Sequence, residues 1–185
     1  ILTFALGIGG TSMMFTAVDA VFLRSLPYPD ADRIMALWQT RVDRPQVRVS
    51  MLDALDWQAQ SRSFSHLCVF NIGNLNVTQN ADPERATAAY VTRDFFAALG
   101  LPPLLGRTFS AEEALADGPR TVVISSNLWS RAFTRDPQAV GKMLSLESVS
   151  FEVIGVMPQG YDFPEGADLW LPLNTQDGSS RGAHN

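Results

Sequence analysis

Thr121-Val122-Val123-Ile124-Ser125-Ser126-Asn127-Leu128-Trp129-Ser130-Arg131-Ala132-Phe133 changes character halfway along. Its first four residues are a β-branched run, stiff at χ1 and suited to a strand. Leu128, Trp129 and Phe133 then fall on one face of a helix, and Ser125 or Ser126 offers the hydroxyl that caps its first turn. The stretch is a strand-helix unit and sets the class as α+β.

Towards the C-terminus, residues 143–146 and 151–156 read as a hairpin. Residues 158–166 form a loop, and Leu169-Trp170-Leu171 a further strand. A polar tail over 175–185 is expected to be frayed or cut. In the connection Leu146-Glu147-Ser148-Val149-Ser150-Phe151 no glycine is present. Ser148 must therefore carry a Cβ into positive φ if the turn is tight.

Towards the N-terminus, Ser110 with Glu112 and Glu113 predicts a short helix with an acidic first turn. Residues 93–99 predict another, stopped by Gly100 and Pro102-Pro103. Three extended segments, 66–72, 75–78 and 85–91, are separated by Gly73-Asn74 and by Asn80-Ala81-Asp82-Pro83 and read as an antiparallel meander. Ser50 offers an N-cap to an amphipathic helix carrying Leu52, Asp53, Leu55, Asp56 and Trp57 and ending near Ser61. Residues 34–40 read as a buried strand.

Residues 1–18 hold no charge, and Asp19 is the first. A run of that length reaches the threshold for a membrane-spanning helix, and Pro27, Pro29 and Asp30 end it. The expected division is thus residues 1–24 as a transmembrane helix truncated at its start, and residues 25–185 as an extracytoplasmic domain incomplete at its C-terminal end. Gly7, Gly9 and Gly10 are candidates for close helix packing. The same glycines, placed after Leu2-Thr3-Phe4-Ala5-Leu6, imitate a dinucleotide-binding turn, but Ser12 stands where the third glycine belongs and no clear second strand follows.

Across 185 residues the chain is 46% hydrophobic and 18% charged, which suits a folded core and excludes a disordered tail. Fourteen basic residues against nineteen acidic ones leave a net charge of −5, with no surplus to neutralise phosphates. Nucleic acid is excluded as a partner on that ground. The single cysteine, Cys68, lies in the apolar run Leu67-Cys68-Val69-Phe70 and reads as a buried, inert thiol.

Catalytic motifs fail on their mechanics. Gly100-Leu101-Pro102-Pro103-Leu104-Leu105-Gly106-Arg107-Thr108 has the wrong spacing for a phosphate loop, arginine in place of lysine, and two prolines that remove donors. His66, His184 and Cys68 have no metal-ligand spacing, and no Gly-x-Ser-x-Gly elbow occurs. Asp53 with Asp56 and Glu112 with Glu113 read as solvated acids near helix starts rather than as a catalytic pair. Trp38, Trp57, Trp129 and Trp170 read as core anchors. The expectation is no catalytic residue, no cofactor and no metal.

Several short motifs recur in a telling order: Ala5-Leu6-Gly7-Ile8-Gly9, Leu23-Arg24-Ser25-Leu26-Pro27-Tyr28, Asp56-Trp57-Gln58-Ala59-Gln60-Ser61-Arg62-Ser63-Phe64, Phe95-Phe96-Ala97-Ala98-Leu99-Gly100, Gly106-Arg107-Thr108-Phe109, Asp136-Pro137, and Val153-Ile154-Gly155-Val156-Met157-Pro158. Together they resemble the MacB-like periplasmic core domain of FtsX-like ABC-transporter permeases, in particular the large, duplicated orphan permeases. The resemblance implies a two-lobed mixed α/β periplasmic domain anchored in the bacterial inner membrane, with residues from about Ser25 onward in the periplasm. It implies a non-catalytic transport component that passes ATP-driven helix motion to export or release of envelope substrates. The partners implied are a cytoplasmic ABC ATPase subunit, a second permease half in a homodimer or pseudo-dimer, and a periplasmic adaptor or substrate. The alternatives are a membrane-anchored binding module for a peptide or envelope protein, and an anchored hydrolase built from Asp53, Asp56, Glu112 and Glu113.

Overall fold

The computed structural model describes residues 31–37, 49, 51–79, 83–115, 117–161, 163–164 and 166–173. The expected span over residues 1–24, with Gly7, Gly9 and Gly10, lies outside these, as do Trp38, Ser50 and the tail. Among the described residues no helix is long and apolar enough to cross a membrane.

In chain order the regular elements are α1 (Met51–Gln60), β1 (Phe70–Thr78), β2 (Glu84–Val91), α2 (Phe95–Leu99), β3 (Leu105–Gly106), β4 (Thr121–Ile124), α3 (Ser126–Phe133), β5 (Met143–Leu146), β6 (Val149–Val156) and β7 (Leu169–Pro172). All seven of these strands join one mixed sheet in the order β3-β6-β4-β7-β2-β1-β5. β5 also pairs with β6, so the six strands β6, β4, β7, β2, β1 and β5 close on themselves. The pairings β4–β6 and β2–β7 are parallel, and the others are antiparallel.

Alternation along the strands gives the sheet two apolar faces. Ala86, Ala88, Val122, Ile124, Leu169 and Leu171 point to one, where Leu128 and Phe133 of α3 pack on them. Ala89, Val91, Val123, Ile154 and Trp170 point to the other, under Phe95, Phe96 and Leu99 of α2 and the ring of Phe109. Phe96 stands between Phe95, Phe109, Tyr161 and Trp170 with ring centroids 5.5 to 6.2 Å apart. Clustered aromatic rings add cohesion beyond their buried area. The Trp170 indole donates to the carbonyl of Phe163 at 3.0 Å, so its one polar group is satisfied inside the core.

The strand-helix unit falls where the sequence places it. Ser125 is the cap, its Oγ accepting from the Leu128 N–H at 3.1 Å. Gly100 ends α2 in the left-handed region at φ 69°. Glu147 and Ser148 turn the β5–β6 hairpin with φ of 47° and 67°, a two-residue loop that matches strand twist at the expense of two strained residues. The turn is held from outside: the Glu147 N–H donates to the Asn76 carbonyl at 3.0 Å, and its Oε1 accepts from the Asn76 N–H at 2.6 Å.

Four expectations are corrected. Gly73-Asn74 does not divide two strands but runs inside β1, because eight residues of β1, Phe70 to Val77, find continuous partners along β2. Residues 66–69 precede the strand without regular structure. Residues 34–37 form no strand, and Met35 is 71% exposed, although Ile34 packs on the aromatic face. Residues 111–115 form turns rather than a helix.

Candidate functional site

The most constrained polar feature begins at a pair of glycines. Gly106 of β3 faces Gly155 of β6 in register. A Cβ on Gly106 would strike the Ile154 carbonyl, and one on Gly155 would strike the Arg107 carbonyl. Only glycine permits this backbone approach. The Leu104 N–H then reaches the Val156 carbonyl at 2.7 Å and the Arg107 N–H the Ile154 carbonyl at 2.9 Å.

Fixed in this way, Arg107 extends its guanidinium to Glu113 and makes two bonds of 2.8 Å to the two carboxylate oxygens. Paired planar groups of this kind are strong and directional. The Ser110 N–H donates to the same carboxylate at 2.7 Å, and the Ser110 hydroxyl accepts from the Glu113 N–H at 3.4 Å. Burial pushes the pKa of this carboxyl up, but the Arg107 and Ser110 bonds outweigh burial and bring it down to about 2. Arg107 and Glu113 thus clasp the segment between β3 and β4 against β6.

Beside the clasp opens a cavity of about 410 Å³. Leu75, Tyr90, Phe151 and Leu171 supply apolar walls, while Glu113, Arg120 and Glu147 also line it. Burial first, and the Glu147 carboxylate second, push the Tyr90 phenol upward, so it stays protonated and can donate. The lining combines a mostly apolar wall with a few polar groups, as binding pockets do. Among the described residues its lining holds no serine, cysteine or histidine.

Of the residues singled out by sequence, Asp53 and Asp56 lie on α1, half-buried and exposed respectively, whereas Glu112 is exposed. Glu113 is not the solvated acid expected, because the clasp buries it to 3% exposure. Glu113 is tied to Arg107 in the turns that follow β3, whereas Asp53 and Asp56 are carried by α1. Trp57 is 37% exposed and not a core anchor, unlike Trp170; Trp129 is half-buried, its indole donating to the Asp136 carbonyl at 2.8 Å. His66 is exposed, and His184 lies outside the described residues. Burial, and then the Asp94 carboxylate, raise the half-buried Cys68 thiol to about 11. Among the described residues no group of three or more His, Cys, Asp or Glu is placed to hold a metal ion. The clasp itself was legible in outline, since Ser110-Ala111-Glu112-Glu113 has the spacing of a capping box, but nothing local names Arg107 as the partner.

Fold and site together define a mixed α/β domain whose strongest polar chemistry fastens one segment to its sheet. The family model of the MacB-like periplasmic core domain matches residues 1–184, and the chain belongs to that family. The periplasmic region of MacB from Actinobacillus actinomycetemcomitans has a similar fold, with a TM-score of 0.58 and 16% identity over 75% of this chain and 62% of that one. The extracellular domain of the noncanonic ABC-type transporter YknZ from Gram-positive bacteria is similar too, with a TM-score of 0.54 and 17% identity over 65% of this chain and 60% of the other. The likeness covers less than two thirds of either solved structure's length and at such identity shows the fold alone. No curated protein gives a significant sequence match.

Proposed function

We propose that this chain is the periplasmic domain of an ABC-transporter permease subunit, itself non-catalytic, which passes ATP-driven helix motion outward to export or release of envelope substrates. Family membership over residues 1–184 carries the reading. The packing supports it. One sheet is covered on both faces by apolar clusters, and close-packed layers of that kind move as a block. Residues 1–24 are the membrane helix in this account, with Gly7, Gly9 and Gly10 at its packing face. Residues 25–185 are the two-lobed periplasmic domain, on the outer side of the bacterial inner membrane. The partners are a cytoplasmic ABC ATPase, a second permease half, and an adaptor or substrate in the periplasm.

Labelling and co-purification test this. In intact cells carrying the whole permease, a membrane-impermeant thiol reagent is expected to label Gln138→Cys, an exposed position. The purified permease is expected to bring its ATPase with it. Labelling that requires breaching the inner membrane, or a permease that purifies with no ATPase, would overturn the proposal.

The cavity at the clasp favours a second reading, an anchored module that binds a peptide or envelope protein. Such a module keeps its ligand affinity when severed from the membrane, whereas a relay loses its function.

A further inference from the structure

The closed ring of strands gathers five strand ends on one side. β2 and β7 run parallel, β4 runs against β7, β6 runs with β4, and β5 runs against β6. The last residues of β2, β7 and β5 therefore lie beside the first residues of β4 and β6. The cavity of about 410 Å³ is set in this end of the ring: Tyr90, Leu171 and Leu146 come from the closing residues of three strands, and Arg120 and Val149 from the openings of the other two. Its floor is apolar, because Leu146 and Leu171 belong to the cluster beneath it and Leu75, Tyr90 and Phe151 pack against that cluster. The mouth of a closed sheet is a favoured place for a ligand.

Two charges of opposite sign line this mouth without meeting. Arg120 and Glu147 are both exposed, and neither forms an ion pair among the described residues. Glu113, the third charge in the lining, is already bound to Arg107. Glu147 is fixed in position, since its N–H donates to the Asn76 carbonyl at 3.0 Å and its Oε1 accepts from the Asn76 N–H at 2.6 Å. Arg120 precedes β4 and Glu147 follows β5, and β6 pairs with both strands. The backbones that carry the two charges thus stand two strand spacings, about 10 Å, apart. An extended peptide advances about 3.5 Å per residue and covers that distance in about three residues.

We propose that the mouth holds a short apolar peptide with free termini, its carboxylate on Arg120 and its ammonium on Glu147. This rests on the second reading, the domain as a binding module, and narrows its ligand to a peptide of about three residues. The guanidinium matches a carboxylate through paired bonds, and the free oxygen of Glu147 takes the ammonium. Leu75, Phe151 and Leu171 form the wall for the side chains. Tyr90, which stays protonated, offers its hydroxyl to a carbonyl between the termini. A ligand of a single charge leaves Arg120 or Glu147 unmatched, and a wholly apolar one leaves both. An internal segment of a longer polypeptide carries neither terminal charge and is not recognised.

Calorimetric titration of the full chain with leucyl-alanyl-leucine tests this. Arg120→Gln and Glu147→Gln are each expected to weaken binding about tenfold, the loss of one charge-assisted contact, with the melting transition unchanged. Amidating the peptide's carboxylate is expected to abolish the effect of Arg120→Gln and keep that of Glu147→Gln, and acetylating its amine is expected to do the reverse, as in a double-mutant cycle. Blocked peptides that bind as tightly as the free one, or variant effects that do not follow this crossing, overturn the proposal and leave a binding module standing. A chain that binds none of the three peptides overturns it too, and the second reading then stands or falls on its own test, ligand affinity without the membrane.

Discussion

Arg107 donates from both terminal nitrogens to the Glu113 carboxylate at 2.8 Å, although the Glu113 side chain is 2% exposed and that of Arg107 57%. Removing the exposed partner leaves a charge in the interior. Arg107→Ala is expected to cost about 2 kcal/mol, below the usual penalty for breaking a fully buried pair because water reaches one end. Urea unfolding checks this, and a midpoint equal to the parent's would contradict it.

The same carboxyl makes stability depend on acid. Its folded value, about 2, lies below the ordinary 4.5, so its contribution is complete above the ordinary value and is lost as pH falls towards 2. Unfolding followed between pH 5 and 2 is expected to show this loss in the parent and a flatter profile in Arg107→Ala. Identical profiles would remove the clasp as its source.

Ser148, at φ 67°, bears a Cβ where glycine fits without strain. Ser148→Gly is expected to stabilise the domain by about 0.5–1 kcal/mol, the relief of the left-handed conformation less the added freedom of the unfolded chain. The denaturant midpoint should rise with its slope unchanged.

Gly155 has no room for a methyl group, because the Arg107 carbonyl occupies the place a Cβ would take. Gly155→Ala is expected to push β3 from β6 and destabilise by about 2 kcal/mol or more. Hydrogen exchange should quicken first at Leu104 and Arg107, whose amides bond β6. Global loosening with those amides still protected would contradict the assignment.

The Cys68 thiol, raised to about 11 by burial and then by Asp94, is almost wholly protonated at neutral pH. A disulfide reagent is expected to modify it far more slowly in the folded chain than in urea. Equal rates would show the thiol to be accessible and ionised.

Local chemistry announced the elements whose causes are local. The β-branched run before Ser125 is a strand followed by a capped helix, and Gly100 stops α2. Where a distant partner decides, sequence reading failed. Gly73-Asn74 carries turn residues, yet β2 holds them in a ladder. Ser110 to Glu113 carries a helix start, yet Arg107 captures the carboxylate and the chain turns away. Nor could spacing reveal the parallel contacts of β4 with β6 and β2 with β7, which join segments far apart in the chain.

The central claim is that the domain moves as one block under ATP. Spin labels at the exposed positions Ala97 and Gln138, on opposite faces of the sheet, measure it in the assembled transporter. The account predicts that their distance within one domain is unchanged by ATP, while the distance from Gln138 to the same position in the second permease half shifts. A change within the domain, or no shift between the halves during ATP turnover, would contradict it.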